Sequence, residues 1–334
     1  MFLKKLSIFR ENVVEMAQND IIGKLAVLIP NDHQPLLIAV LRLLLNLSFD
    51  TQLRTKMTMM DFAPKIAESF KRARGPRSDG AASELALTML YQLSTDPGTR
   101  HKFRHTECIP LVVGMLSQGS GGTDRTAVAL AINLSLAPGN AEQLAAKGQL
   151  RTLVRNASQS MDNCLLKLIR NLSAHDLPYR EEFRAYVDEL LAMSIRCDNH
   201  DVLVEVLGIV SNMNSNCCDL EGLVHKYDLA NWLKKFLVPG FVHDDIVLEV
   251  IMVIGVMATE PRCSSILANS GLVDGLAQLM EYQKGDDEMV LQLCYTFYCL
   301  VRHTDTREVI LVSDVTHHPA AAVYSHSHSV WVMC

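Results

Sequence analysis

Long apolar runs recur along this chain, and the first complete one, Leu36 to Asp50 (LLIAVLRLLLNLSFD), sets the pattern for the others. Coiled as a helix, it is apolar on nearly every face, so other elements must surround most of it. One narrow stripe escapes. Pro35, Ala39, Arg42 and Asn46 step by four, three and four residues, which stacks them along one side of the helix. That side is the candidate working surface.

The same pattern returns with Gln92, Asn133, Asn171 and Asn212 in the slot of Asn46, and with weaker copies at Lys5, Val256 and Leu300. Successive slots lie about 38 to 46 residues apart, the period of helical armadillo and HEAT repeats. The spacing predicts an all-α fold, an armadillo-repeat right-handed superhelical solenoid that grows by stacking. Each repeat should run as a short helix, a longer helix and an inner helix. Pro30 stops one helix and Pro35 starts the next, where a missing N–H costs little. Asp50 is placed to cap the following repeat, and the segments after Asp96, Asp176 and Thr304 fill the same slot. Residues 1–18 read as an incomplete repeat with only its inner helix, residues 19–310 as the repeats, and residues 311–334 as a divergent, disordered tail. A chain opening on an inner helix is expected to be a fragment.

Composition sharpens this picture. Apolar residues make up 49% of the chain and aromatics only 6%, which is helical packing material. Strand-like alternation bounded by turn pairs is missing, so sheet is not expected. The formal charge of −6 argues against a general nucleic-acid binder. Nine cysteines, with no CxxC pair, read as small buried apolar side chains in a reducing compartment. No run of about 18 apolar residues occurs, so membrane insertion is not expected and the chain reads as soluble and intracellular. The basic stretch Lys71 to Gly80 and the glycine-rich stretch Gln118 to Asp124 read as loops; the second lacks the Gly-Lys-Ser/Thr ending of a phosphate loop.

Catalytic chemistry is not evident. His101 and His105 stand four apart, but Lys102 replaces the glutamate of a His-Glu-x-x-His zinc motif. His317, His318, His326, His328 and Cys334 lie in a polar tail that supplies no fixed coordination geometry. No Gly-x-Ser-x-Gly elbow occurs. No enzyme activity, cofactor or metal is expected.

Several strings go beyond a generic repeat: FLKKLSIF, LRLLLNLSFD, Lys167-Leu-Ile-Arg-Asn-Leu-Ser followed by His175-Asp176, Glu205-Val-Leu-Gly, and Asp244-Asp-Ile-Val-Leu-Glu-Val with Ile254-Gly255. From Phe2 to about Ile310 the chain resembles the armadillo region of kinesin-associated proteins, the non-motor subunits of heterotrimeric kinesin-2. The resemblance implies a non-catalytic adaptor in the cytoplasm, on the microtubule cytoskeleton and in the cilium. It would bind kinesin-2 motor subunit tails and link them to cargo adaptors, intraflagellar transport included. The basic loop and the tail depart from that family. A catenin-like armadillo scaffold for signalling or adhesion is the alternative, and it calls for a groove that is basic along its length.

The stripe supplies the site expectation: a partner groove formed by Arg42, Asn46, Gln92, Asn133, Lys167, Asn171, Glu205, Asn212, Asp245 and Glu249. A carboxamide carries a donor and an acceptor, so a repeated asparagine can pair with the N–H and C=O of an extended peptide. The alternative is that helix ends of the neighbouring repeat satisfy it. Asn46, Asn133 and Asn171 also match the Asn-x-Ser glycosylation sequon, a coincidence on an inner helix. Nuclear-import receptors of the armadillo class carry tryptophan four residues before this asparagine. Arg42, Thr88, Ala129, Lys167 and Gly208 stand there instead, which excludes that reading. The stripe's charge changes from Arg42 and Lys167 to Asp201, Glu205, Asp245 and Glu249.

Overall fold

The computed structural model describes residues 2–74, 80–117, 124–146, 148–213 and 218–312. These are helical, and no strand occurs among them. They form two compact units, one running to Ser160 and including Lys167–Tyr179, the other comprising Met161–Leu166 and the chain from Arg180 onward.

In the first unit a short α1 (Phe2–Leu6) precedes three-helix sets: α2 (Arg10–Gln18), α3 (Ile21–Ala26) and α4 (Gln34–Leu47), then α5 (Thr51–Met59), α6 (Phe62–Ala73) and α7 (Ala81–Ser94). The tight 3-10 turns of Pro97–His105 come next, with α8 (Cys108–Leu116) and α9 (Arg125–Ser135), then α10 (Pro138–Ala145) and α11 (Gln149–Ser160). Helix α12 (Asn163–Ser173) crosses the division between the units. The second unit holds a 3-10 stretch through Phe183, α13 (Arg184–Ile195) and α14 (His200–Ser211). It continues with α15 (Leu220–Tyr227), α16 (Leu229–Lys234) and α17 (Asp244–Met257), and ends with α18 (Pro261–Asn269), α19 (Leu272–Tyr282), α20 (Asp287–Val301) and α21 (Thr304–Val312).

The inner helices stack on one another, α4 on α7 and α7 on α9 in the first unit, α14 on α17 and α17 on α20 in the second. In α4, Leu37, Val40, Leu41, Leu43, Leu44 and Leu47 are buried, whereas Arg42 is exposed and Ala39 and Asn46 are half-buried, as the pattern predicts. Asp50 caps α5 by accepting from the Leu53 N–H at 3.0 Å.

Between the first and second helices of a set the chain turns through one left-handed residue. Asp20, Asp61 and Asp228 fill this position with φ near +50°, and Gly148 and Gly271 with φ near +75°. Only glycine, or a residue with a short polar side chain, adopts it at low cost. Asp20 and Asp61 also clasp the following set, through Lys56 at 2.7 Å and Lys102 at 2.9 Å.

Three local expectations are corrected. Residues 10–18 are a separate first helix, so the first complete set opens at Arg10 rather than at 19, and 1–18 is not an inner helix alone. The segment Pro97–His105 winds as 3-10, because Asp96 accepts from the Gly98 N–H and a proline and a glycine open it. At three residues per turn, His101 and His105 leave the common face an α-helix would give them. Helix α21 runs through Val312, past the expected boundary at 310. The glycine-rich loop, Arg77 in the basic loop, Cys217 and Cys334, and the tail histidines lie outside the described residues.

Candidate inner-helix binding face

In the first unit the asparagine slots reveal a repeated bond. Asn46 Nδ2 donates to Ser7 Oγ at 3.0 Å and to the Lys4 carbonyl at 3.2 Å. Asn133 Nδ2 donates to Ser94 Oγ at 3.0 Å, and Asn171 Nδ2 to Ser135 Oγ at 3.0 Å and the Ile132 carbonyl at 3.2 Å. Gln92, one methylene longer, reaches the Ser48 carbonyl at 3.5 Å. Each serine lies near the end of the preceding inner helix and is buried. It donates its own hydroxyl three residues back: Ser7 to Lys4, Ser48 to Leu45, Ser94 to Tyr91 and Ser135 to Ile132, all at 2.7–2.8 Å. The hydroxyl thus occupies an orphan carbonyl of its helix and leaves a lone pair for the next asparagine. The Asn-Leu-Ser string therefore encodes both halves of an inter-repeat rung. His175 adds a further bridge, its Nε2 lying 2.7 Å from the Ser135 carbonyl.

These bonds spend the carboxamide donors inside the stack, with two bonds each from Asn46 and Asn171 and one from Asn133. The Oδ1 atoms of Asn46, Asn133 and Asn171 accept no hydrogen bond from the described residues. At Asn46 and Asn171 a two-sided grip on a peptide is thereby reduced to acceptance from N–H groups, whereas Asn133 keeps one N–H. The role of serine was missed, although its recurrence two residues after the slot was visible in the sequence.

Pro35, Ile38, Ala39 and Arg42 of α4 line a surface recess of about 120 Å³ together with Lys4 of α1. Its floor is apolar and its charge is basic. Lys4, Arg42 and Lys167 have no carboxylate partner among the described residues, and Arg42 and Lys167 are exposed. Lys4 joins this site from α1, which precedes the first complete set and lies outside the periodic stripe.

In the second unit Asp201 and Asp245 are exposed near the N-termini of α14 and α17, and Glu205 and Asn212 are half-buried. The carbonyl of Asn212 accepts from the Arg180 guanidinium. Glu249 is corrected: at 4% exposure it lies within the core. Helix α17 is covered by both α14 and α20, so its buried arc widens to take in Glu249 along with Val250 and Val253. Glu205 and Glu249 are also already engaged by other residues of the chain. The acidic part of the stripe therefore reduces to Asp201 and Asp245.

The thiols of Cys108 and Cys263 are buried. Burial pushes the Cys108 thiol up to about 12, and burial aided by nearby carboxylates does the same to Cys263. Among the described residues no group of three or more His, Cys, Asp or Glu is arranged to hold a metal ion, and no helix is long and apolar enough to cross a membrane.

The kinesin-associated protein (KAP) family model matches residues 1–325. Among solved structures, an engineered protein superposes with a TM-score of 0.68 at 13% identity, over 97% of this chain and 90% of its own. A designed armadillo repeat protein in complex with the peptide (KR)4 gives 0.57 at 16%, over 71% and 99%. Computationally designed armadillo repeat proteins for modular peptide recognition give 0.56 at 15%, again over 71% and 99%. At these identities the likeness shows the fold, an all-α armadillo solenoid.

Proposed function

The chain belongs to the kinesin-associated protein family, and from that premise we propose that it is the non-catalytic adaptor subunit of heterotrimeric kinesin-2. It binds the tails of the motor subunits and links them to cargo adaptors for microtubule-based transport, intraflagellar transport included. Its place is the cytoplasm, on the microtubule cytoskeleton and in the cilium. The family supports a kinesin-associated adaptor role, and the armadillo fold suits the holding of an extended peptide.

One observation carries the choice of surface. On the first unit, the recess beside Arg42 joins two cations without carboxylate partners to an apolar floor, on the helix whose Asn46 keeps an acceptor unused. The designed relative that holds (KR)4 takes a basic peptide. Here the basic groups are on the protein, so the segment bound along Arg42, Asn46, Gln92, Asn133, Lys167 and Asn171 is acidic. Asp201 and Asp245 suit basic residues, and Glu205, Asn212 and Glu249 serve the packing.

Stopped-flow association with purified motor tails tests this. Exposed charges steer encounter more than they set final affinity. Arg42→Glu with Lys167→Glu should slow association and flatten its salt dependence. Unchanged association of a folded double variant would remove the motor contact from this face.

A further inference from the structure

A second surface lies in the second unit. The sequence Val238-Pro239-Gly240-Phe241 precedes α17. Gly240 has φ of +73°, and the Phe241 N–H bonds to the Val238 carbonyl at 3.1 Å. Proline second and a left-handed glycine third define a type II turn, which fixes the backbone and holds its outer residues close together. Val238 and Phe241 are 54% and 65% exposed. Tyr282, 60% exposed at the end of α19, belongs to the same patch, because its hydroxyl sits 3.8 Å from the position a Cβ on Gly240 would take. Gln283 Nε2 donates to Asp244 Oδ1 at 2.8 Å, which ties that helix end to the start of α17.

Two large apolar side chains are therefore held in water on a fixed turn, with Tyr282 beside them, inside the unit rather than at a fraying end. A solvated loop gains nothing from that arrangement, and contiguous exposed apolar surface marks an interaction site. The chemistry around it selects the occupant. Asp245, Asp287 and Glu288 are exposed beside the turn and α19, with no cation partner among the described residues. The nearby Lys284 is paired with Glu281 at 2.9 Å, and the exposed Lys235, three residues before Val238, is outnumbered by these carboxylates. An acidic rim around an apolar patch repels nucleic acid and anionic membrane and favours cationic polypeptide.

We propose that Val238, Phe241 and Tyr282, flanked by Asp245, Asp287 and Glu288, form a docking surface for a basic protein segment that carries apolar anchors. The anchors seat on the turn and the flanking cations meet the rim. The surface shares Asp245 with the stripe of the proposed function, so the Phe241 and Tyr282 changes, which leave that stripe intact, separate the two readings.

Fluorescence anisotropy with the full chain tests it, using three synthetic peptides: a Lys-rich helix former with paired Leu anchors, the same peptide with Glu for Lys, and an all-polar Lys-rich control. The anchored basic peptide should bind, and bind more weakly as salt rises. Phe241→Ser with Tyr282→Ser should weaken it by about tenfold or more, as loss of central anchors does. Both side chains are exposed, so an unchanged thermal melt will confirm that the variant is folded. Asp245→Lys with Glu288→Lys should weaken it without touching the anchors. Equal binding of the polar control, preference for the Glu peptide, or indifference to the Phe241 and Tyr282 changes would each overturn the proposal. So would concentration-dependent light scattering abolished by Phe241→Ser, which would assign the patch to a second copy of this chain.

Discussion

The Asn-Leu-Ser string serves two repeats at once, since its serine ends one inner helix and accepts from the asparagine of the next. A half-buried hydrogen bond contributes about 0.5–1.5 kcal/mol net, and groups in contact do not behave additively. Asn133→Ala and Ser94→Ala should therefore each lower stability by about that amount, while the double variant loses less than the sum. A double-mutant cycle from denaturant melts checks this, and strict additivity would show the rung to be inert. Asn171→Asp separates the two halves of the carboxamide: it discards the donor spent on Ser135 and keeps an oxygen facing outward. It should destabilise the chain, and its new negative charge should make it hold an acidic segment worse than Asn171→Ala does. Thiol chemistry offers another reading of burial. With Cys108 and Cys263 pushed up to about 12, almost no thiolate forms at neutral pH. A disulfide reagent should modify half-buried thiols such as Cys197 before Cys108 and Cys263, and reach those two only on unfolding.

Helices and their order were the most legible part of the sequence, because a helix enclosed on most sides must be apolar on most sides. Leu44 of α4 is wholly buried, and truncation to alanine should cost about 2–5 kcal/mol in a melt. The neighbouring Leu45 is only half-buried, so Leu45→Ala should cost clearly less. Periodicity alone had treated the two alike. What stayed hidden depended on partners from other repeats. Glu249 reads as a stripe residue until α14 and α20 cover α17 from both sides. The asparagines read as ligand groups until a serine some forty residues earlier takes their protons. Lys4 gains its meaning from a recess whose other wall is α4. Helix α2 was missed because RENVVEMAQ is short and its apolar residues few; packing on α3 makes it a helix.

For the molecule as a whole, repeats touch mainly their neighbours, so a lesion should spread by adjacency. In Leu44→Ala, hydrogen exchange should quicken first in α1, α4 and α7, and α9 should keep its protection longer. Uniform loss across the first unit would mean that it unfolds as one block. The rung has a further consequence for how the protein can be produced. Asn46, Asn133 and Asn171 are sequons by composition, and a secretory pathway attaches glycans to such asparagines before the chain has packed. A sugar on Nδ2 would occupy the nitrogen that must reach a serine of the preceding repeat. The chain secreted or displayed from a eukaryotic host should therefore emerge glycosylated and poorly folded, whereas cytosolic expression should yield the native form. A well-folded secreted product with all three sites occupied would show that the stack holds without its rungs.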